Sequence, residues 1–208
     1  MTEAAAGDAA STPASTPAAQ GLLVVLSGPS GVGKDAILDE LERRGQRFHR
    51  VITCTTRTPR EGERDGVDYR FVSESEFDSL LTSDGLLEHA VVYGNRYGVP
   101  RDQVLQQLAN GTDVYVRTDV QGAATIRGLM PDAILIFIAP ASFADLEERI
   151  RSRGADGDAD IARRIEAARR EMARQNEFEY VIVNAQGRLD AAVDQLERIV
   201  AAERTRRA

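Results

Sequence analysis

The sequence predicts an α/β fold, a parallel β-sheet flanked by helices, and three observations carry that expectation. An apolar run at residues 22–27 feeds a glycine-rich loop and then a helical pattern from about 33 to 45. Strand and helix patterns continue to alternate down the chain, as βα units do. Two stretches, roughly 53–104 and 142–165, break the alternation and read as an inserted subdomain and a mobile helical lid.

Residues 1–20, MTEAAAGDAASTPASTPAAQ, hold almost nothing large enough to pack and read as a disordered N-terminal tail. They lack the basic start and large apolar run of a secretion signal, and no later stretch is long enough to span a bilayer, so cytoplasm is the expected location. Residues 21–208 then form one domain, with a core of 21–52 and 105–208. Val114, Val116 and Thr118 alternate ahead of Asp119, while Ile134–Ile138 and Val181–Val183 are continuous apolar runs suited to buried parallel strands. Leu189, Val193, Leu196 and Val200 recur at helical spacing, which predicts a final helix with one face on that sheet. Within the first insertion a short helix opens at Ser73, where Ser73 and Glu76 form a capping-box pattern. In the second, a helix from Ser142 ends at Arg153-Gly154, ADGDAD follows, and a new helix runs through Arg163 and Arg164.

A chain of 208 residues with a net charge of −7 is long enough for a substantial core and carries no broad basic footprint for nucleic acid. Its single cysteine, Cys54, excludes an intrachain disulfide or a multi-cysteine metal site and reads as a packing residue.

The chemistry concentrates in residues 22–34, LLVVLSGPSGVGK. A strand entering such a loop ahead of a helix aims several backbone N–H groups and the positive end of the helix dipole at one point, where anionic phosphate fits. Gly28, Gly31 and Gly33 let the backbone approach a ligand, Pro29, Ser30 and Val32 complete the loop, and Lys34 brings a mobile cation to the outer phosphates. The sheet around it therefore resembles the P-loop NTPase type. The full pattern places Ser or Thr after the lysine, with a hydroxyl on Mg²⁺; this chain has Asp35. In TCTTRTPREGERDGVDY, Arg57 and Arg60 flank Thr58-Pro59 and Tyr69 follows. Two guanidinium forks and a phenol suit a second phosphate group, whereas a solvated loop would instead pair these arginines with Glu61, Glu63 and Asp65.

The ordered set GPSGVGK, TTRTPREGE, GVDYRFVS, LLEHAVVYGNRYG, DVQGA and RIRSRG resembles the guanylate kinase family, over essentially residues 21–204. The resemblance implies a kinase that moves the γ-phosphate of ATP to GMP with Mg²⁺. It makes 53–104 the GMP-binding insertion and leaves tolerance of deoxy-GMP and the oligomeric state open. It implies that Arg57, Arg60, Tyr69 and Tyr97 hold the GMP phosphate, and that Glu88 accepts from the guanine N–H and amino groups, with Thr53 near the base. On the same basis Arg149, Arg153 and Arg164 swing over the ATP phosphates or adenine, and Asn184 lies near adenine. Lys34, Arg57, Arg153 and Arg164 form the expected catalytic set. Without the resemblance, Glu88 is a polar strand position, Tyr97 a packing aromatic, and the lid arginines a helix surface partnered by Glu147, Glu148 and Glu166.

Three positions depart from the family's pattern. Asp35 leaves Mg²⁺ to water and phosphates, or to its own carboxylate. Arg117 stands where the first acid of an acid-x-acid pair is common, which leaves Asp119 to contact guanine, orient an arginine or bind metal through water. Val99 replaces a hydroxyl that commonly reaches the guanine oxygen. Two alternatives stay in view: a related kinase acting on a sugar phosphate, with little use for Glu88, and a non-catalytic guanylate-kinase-like module that binds phosphopeptide.

Overall fold

A computed structural model describes residues 20–152 and 158–207. The elements run β1 (Leu23–Ser27), α1 (Lys34–Arg43), β2 (His49–Arg50), β3 (Cys54–Thr55), β4 (Arg70–Phe71), α2 (Glu74–Thr82), β5 (Leu86–Val92), β6 (Asn95–Pro100), α3 (Arg101–Ala109), β7 (Val114–Arg117), α4 (Val120–Leu129), β8 (Ile134–Ala139), α5 (Phe143–Ser152), α6 (Asp158–Ala173), β9 (Tyr180–Val183) and α7 (Leu189–Arg207). The main sheet has the order β2-β7-β1-β8-β9, and every adjacent pair is parallel. This is the predicted α/β sheet, with β1 at its centre. The C-terminal ends of β1 and β7 face the crevice outside the sheet, where open parallel sheets bind ligands.

All five residues of β1 are buried because both sheet faces are covered. Val24 and Leu26 pack in one core with Ile37, Leu38 and Leu41 of α1 and Val193, Leu196 and Val200 of α7. Leu23 and Val25 pack in the other with Val104 and Leu108 of α3 and Ile126 of α4. Each fully buried side chain of this size contributes about 1.5–3 kcal/mol. The apolar stripe of α7 is thus core, and it holds the helix against the sheet.

Residues between β2 and α3 build a second sheet of order β4-β3-β6-β5, mixed in direction, with a small core of Cys54, Val72, Phe77 and Leu86. Cys54 is a packing residue there, and burial raises its thiol pKa. The capping box that opens α2 forms in full: Ser73 Oγ accepts from the Glu76 N–H, and the Glu76 carboxylate accepts from the Ser73 N–H at 2.7 Å. β5 and β6 join through Tyr93-Gly94, both at positive φ, as a two-residue hairpin connection requires. Arg153 and the four residues that follow it, 154–157, lie outside the described residues.

Candidate active site

The glycine-rich loop at 28–34 is shaped by its contacts as well as its glycines. Gly33, at φ +97°, caps α1, and a Cβ there would lie 2.5 Å from Asn184 Nδ2. Asn184 is buried and donates from Nδ2 to the Val32 carbonyl at 2.9 Å, while Arg149 of α5 donates to the Val32 carbonyl at 3.4 Å and the Asn184 carbonyl at 3.0 Å. These two predicted residues therefore brace the back of the loop and are not among those lining the cavity in front of it. Val32 is fully buried in the core beneath the loop. Lys34 donates from Nζ to the carbonyls of Gly28 and Pro29, and Arg164, buried on α6, donates to Ser30 Oγ at 3.1 Å.

A single cavity of about 630 Å³ joins this loop to the inserted subdomain. On the donor side it is lined by Gly28, Pro29, Ser30, Gly31, Gly33, Lys34, Asp35 and Arg164; on the other by Thr53, Arg57, Arg60, Tyr69, Glu88 and Tyr97, with Asp119 between them. Arg57 donates from Nε to the Tyr97 hydroxyl at 3.2 Å and pairs with Glu63 at 2.8 Å, and its guanidinium carbon lies 5.4 Å from the Tyr69 ring centre. Burial opposes the charge on Arg57, but Glu63 and Tyr97 outweigh it and hold its pKa above the ordinary value. Glu63 also accepts from the Arg60 N–H at 2.7 Å. The acid pairing of the solvated-loop reading is thus present at Glu63, yet it aims Arg57 into the cavity rather than out to solvent.

Glu88 sits on β5 and is 4% exposed. Its Oε1 accepts from Thr118 Oγ1 at 2.9 Å, while Oε2 is buried without a protein partner among the described residues, as is Thr53 Oγ1. Unsatisfied buried polar atoms cost about 1–3 kcal/mol each, so two of them facing one cavity mark a ligand that carries hydrogen-bonding groups. Burial pushes the Glu88 pKa up to about 7; the Thr118 bond works against that rise and the Asp119 charge adds to it. Asp119 Oδ1 accepts from the Gly122 N–H at 2.8 Å and so caps α4. Val99 pairs with Glu88 across β5 and β6 but is fully buried among core side chains, so it gives no polar contact here.

Several residues outside the sequence expectations belong to the site. Thr118 orients Glu88, and a Cβ at Gly122 would stand 2.7 Å from Glu88 Oε2, so the first turn of α4 must be bare there. Glu171 of α6 and Tyr93 of the hairpin line the cavity, and burial raises the pKa of both. Tyr93 and Gly122 fall inside quoted motifs and Thr118 in the strand alternation, but no local pattern gives any of the four its role, since each acts across a tertiary contact. Asp35 pairs with Arg50 at 2.9 Å and with Arg117.

Comparison with known proteins agrees with this geometry. Residues 20–203 match the family model described as guanylate kinase. A guanylate kinase of Synechococcus sp. (strain JA-3-3Ab) is 46% identical over 88% of this chain and 84% of its own. One of Bacillus subtilis (strain 168) is 42% identical over 90% and 92%. The crystal structure of guanylate kinase from Anaplasma phagocytophilum superposes with a TM-score of 0.73 at 31% identity, covering 89% of this chain and 87% of that one. With one cavity bounded by a phosphate loop and by an arginine–tyrosine cluster beside a buried glutamate, the chain belongs to the guanylate kinase family.

Proposed function

We propose that the protein transfers the γ-phosphate of ATP to GMP, giving ADP and GDP, in purine nucleotide metabolism and GMP recycling. The observation that carries this reading is the pair of orphaned acceptors, Glu88 Oε2 and Thr53 Oγ1, in the same cavity as Lys34 and Arg57. A carboxylate offers two acceptors to the adjacent guanine N–H and amino donors, and adenine presents no such pair. A sugar phosphate brings hydroxyl donors but no planar pair of adjacent N–H donors matched to the carboxylate.

In this reading the loop amides from Gly28 to Lys34 and the α1 dipole hold the ATP phosphates, with Arg149 and Asn184 bracing the loop. Arg57, Arg60, Tyr69 and Tyr97 hold the GMP phosphate. A GMP phosphate oxygen forms the new bond to the γ-phosphorus as the bond to the β,γ-bridging oxygen breaks, and that oxygen leaves on ADP with the electron pair. The attacking group is already anionic, since a phosphate monoester loses its second proton near pH 6. No general base is needed, and the protein's work is alignment and charge neutralisation by Lys34, Arg57, Arg164 and Arg153, the last outside the described residues.

Mg²⁺, when bound with ATP, would neutralise negative charge on the phosphates. Among the described residues no three His, Cys, Asp or Glu side chains form a metal cluster, and Asp35 is engaged by two guanidiniums. The donor set fits a metal that keeps its waters and arrives on phosphate, and Asp119, a cavity carboxylate whose Oδ1 caps α4, would be its protein contact through water. No helix of the described residues is long and apolar enough to cross a membrane, and we place the reaction in the cytoplasm.

A coupled ADP-release assay with GMP, deoxy-GMP, AMP and ribose phosphates tests the assignment. Turnover should depend on GMP, fall at least about a hundredfold in Glu88→Ala, and require much more GMP in Arg57→Ala. Equal rates on AMP and GMP would overturn the guanine assignment. Tight phosphopeptide binding without turnover would favour the module.

A further inference from the structure

Asp35 and Arg117 are two of the positions at which the sequence departs from its pattern, and the fold brings them into contact. Arg117 ends β7 beside Leu26 of β1, and its side chain is 5% exposed. Its guanidinium reaches three partners: the Asp35 carboxylate on the first turn of α1, the Asp68 carbonyl, and the Tyr69 ring, whose centre lies 4.6 Å from Cζ. One side of this fork is therefore on the donor loop's helix and the other on the acceptor subdomain. The same Asp35 oxygen, Oδ1, is also reached by Arg50, which pairs with Asp39 at 2.5 Å. A buried guanidinium stripped of its carboxylate leaves an uncompensated charge, so Arg117 depends on Asp35. A planar fork can satisfy a carboxylate, a carbonyl and a ring face at once, which the point charge of lysine cannot.

We propose that Asp35 and Arg117 act as one unit, a strut that transmits the position of the phosphate-loop helix to Tyr69 and Asp68, so that Asp35 serves the GMP site rather than binding metal. The proposal rests on the reading of Tyr69 as part of the GMP phosphate site. Arg117 is a positioning residue: it acts through Tyr69.

The test is calorimetric GMP binding without ATP or Mg²⁺, together with steady-state kinetics, for Arg117→Met, Arg117→Lys, Asp35→Asn and the double variant Asp35→Asn/Arg117→Met. Methionine keeps an unbranched apolar stem in the buried volume, and thermal unfolding verifies that each variant folds. Arg117→Met should weaken GMP binding and raise KM for GMP about tenfold, with KM for ATP moving less than about threefold, and Arg117→Lys should not restore it. Asp35→Asn, although it lies in the donor loop, should weaken GMP binding about as much, and the double variant should be no worse than the poorer single one. The Mg²⁺ concentration giving half activity should move less than about twofold in Asp35→Asn. Three results would each overturn the strut: unchanged GMP affinity in Arg117→Met, additive losses in the double variant, or an unchanged GMP affinity with a tenfold higher Mg²⁺ requirement in Asp35→Asn. Wild-type protein that fails to bind GMP would overturn the functional reading itself and the strut with it.

Discussion

Replacing Glu88 with glutamine separates the cost of a buried charge from its use in recognition. The carboxyl has its pKa raised from 4.5 to about 7, chiefly by burial. Between those values the folded protein holds a proton that the unfolded chain has lost, so this group's contribution to stability falls as pH rises through that window. Above it both states are ionised, and the buried charge costs the folded state about 3 kcal/mol. Glutamine has no charge to bury. Relative to its effect near pH 4.5, Glu88→Gln should therefore stabilise the ligand-free protein near pH 8 by about 3 kcal/mol, or about 6–12 °C in the unfolding midpoint. Guanine N–H donors favour the ionised form, so GMP affinity of the native protein should fall as pH drops below about 7, approaching tenfold per pH unit. The GMP phosphate titrates equally in both proteins, so the difference between their profiles isolates Glu88. Melting curves and calorimetric titrations across this range read both effects. Parallel GMP profiles for the two proteins would show that Glu88 is not the guanine acceptor, and a stability difference independent of pH would show that it is not a strained carboxyl.

Two further outcomes follow from single contacts. Gly122→Ala puts a methyl carbon 2.7 Å from Glu88 Oε2, so it should weaken GMP binding at least about tenfold while leaving the affinity for an ATP analogue within about twofold, measured by competition titration. Asn184→Ala removes the donor to the Val32 carbonyl behind the phosphate loop and should lower stability by about 1–3 kcal/mol in denaturant titration, with the kinetic loss falling on ATP rather than GMP.

Much of the donor half was legible because it is local. GPSGVGK places its glycines, its lysine and the start of α1 within a few residues, so chain order alone dictates a strand, a turn and a helix N-terminus. The capping box at Ser73 is legible for the same reason, since both hydrogen bonds close within one helical turn. The continuous apolar runs of β1 and β8 announce a sheet covered on both faces, and alternation with helices announces parallel strands. At Arg57, Arg60 and Tyr69 the residue types suggested a second phosphate group but left a solvated loop open, and a role for Glu88 came only through resemblance. Taken alone, LLEHAVVY does not say that Glu88 is buried, because burial there depends on α4 packing against β5 and on Thr118 reaching it from another strand end.

Asp35 shows the boundary between the two kinds of information. As the residue after the phosphate-loop lysine it is a departure whose charge suits water, metal or a basic side chain equally well. The register of β7 against β1, with Arg117 level with Leu26, brings a guanidinium to it, and β2, paired with β7 on its other side, brings a second from Arg50. Local sequence specifies strands, loops and helix starts because those conformations are set by neighbouring residues. Which charges meet across them depends on strand order and register, and these are fixed only when both faces of the sheet are packed.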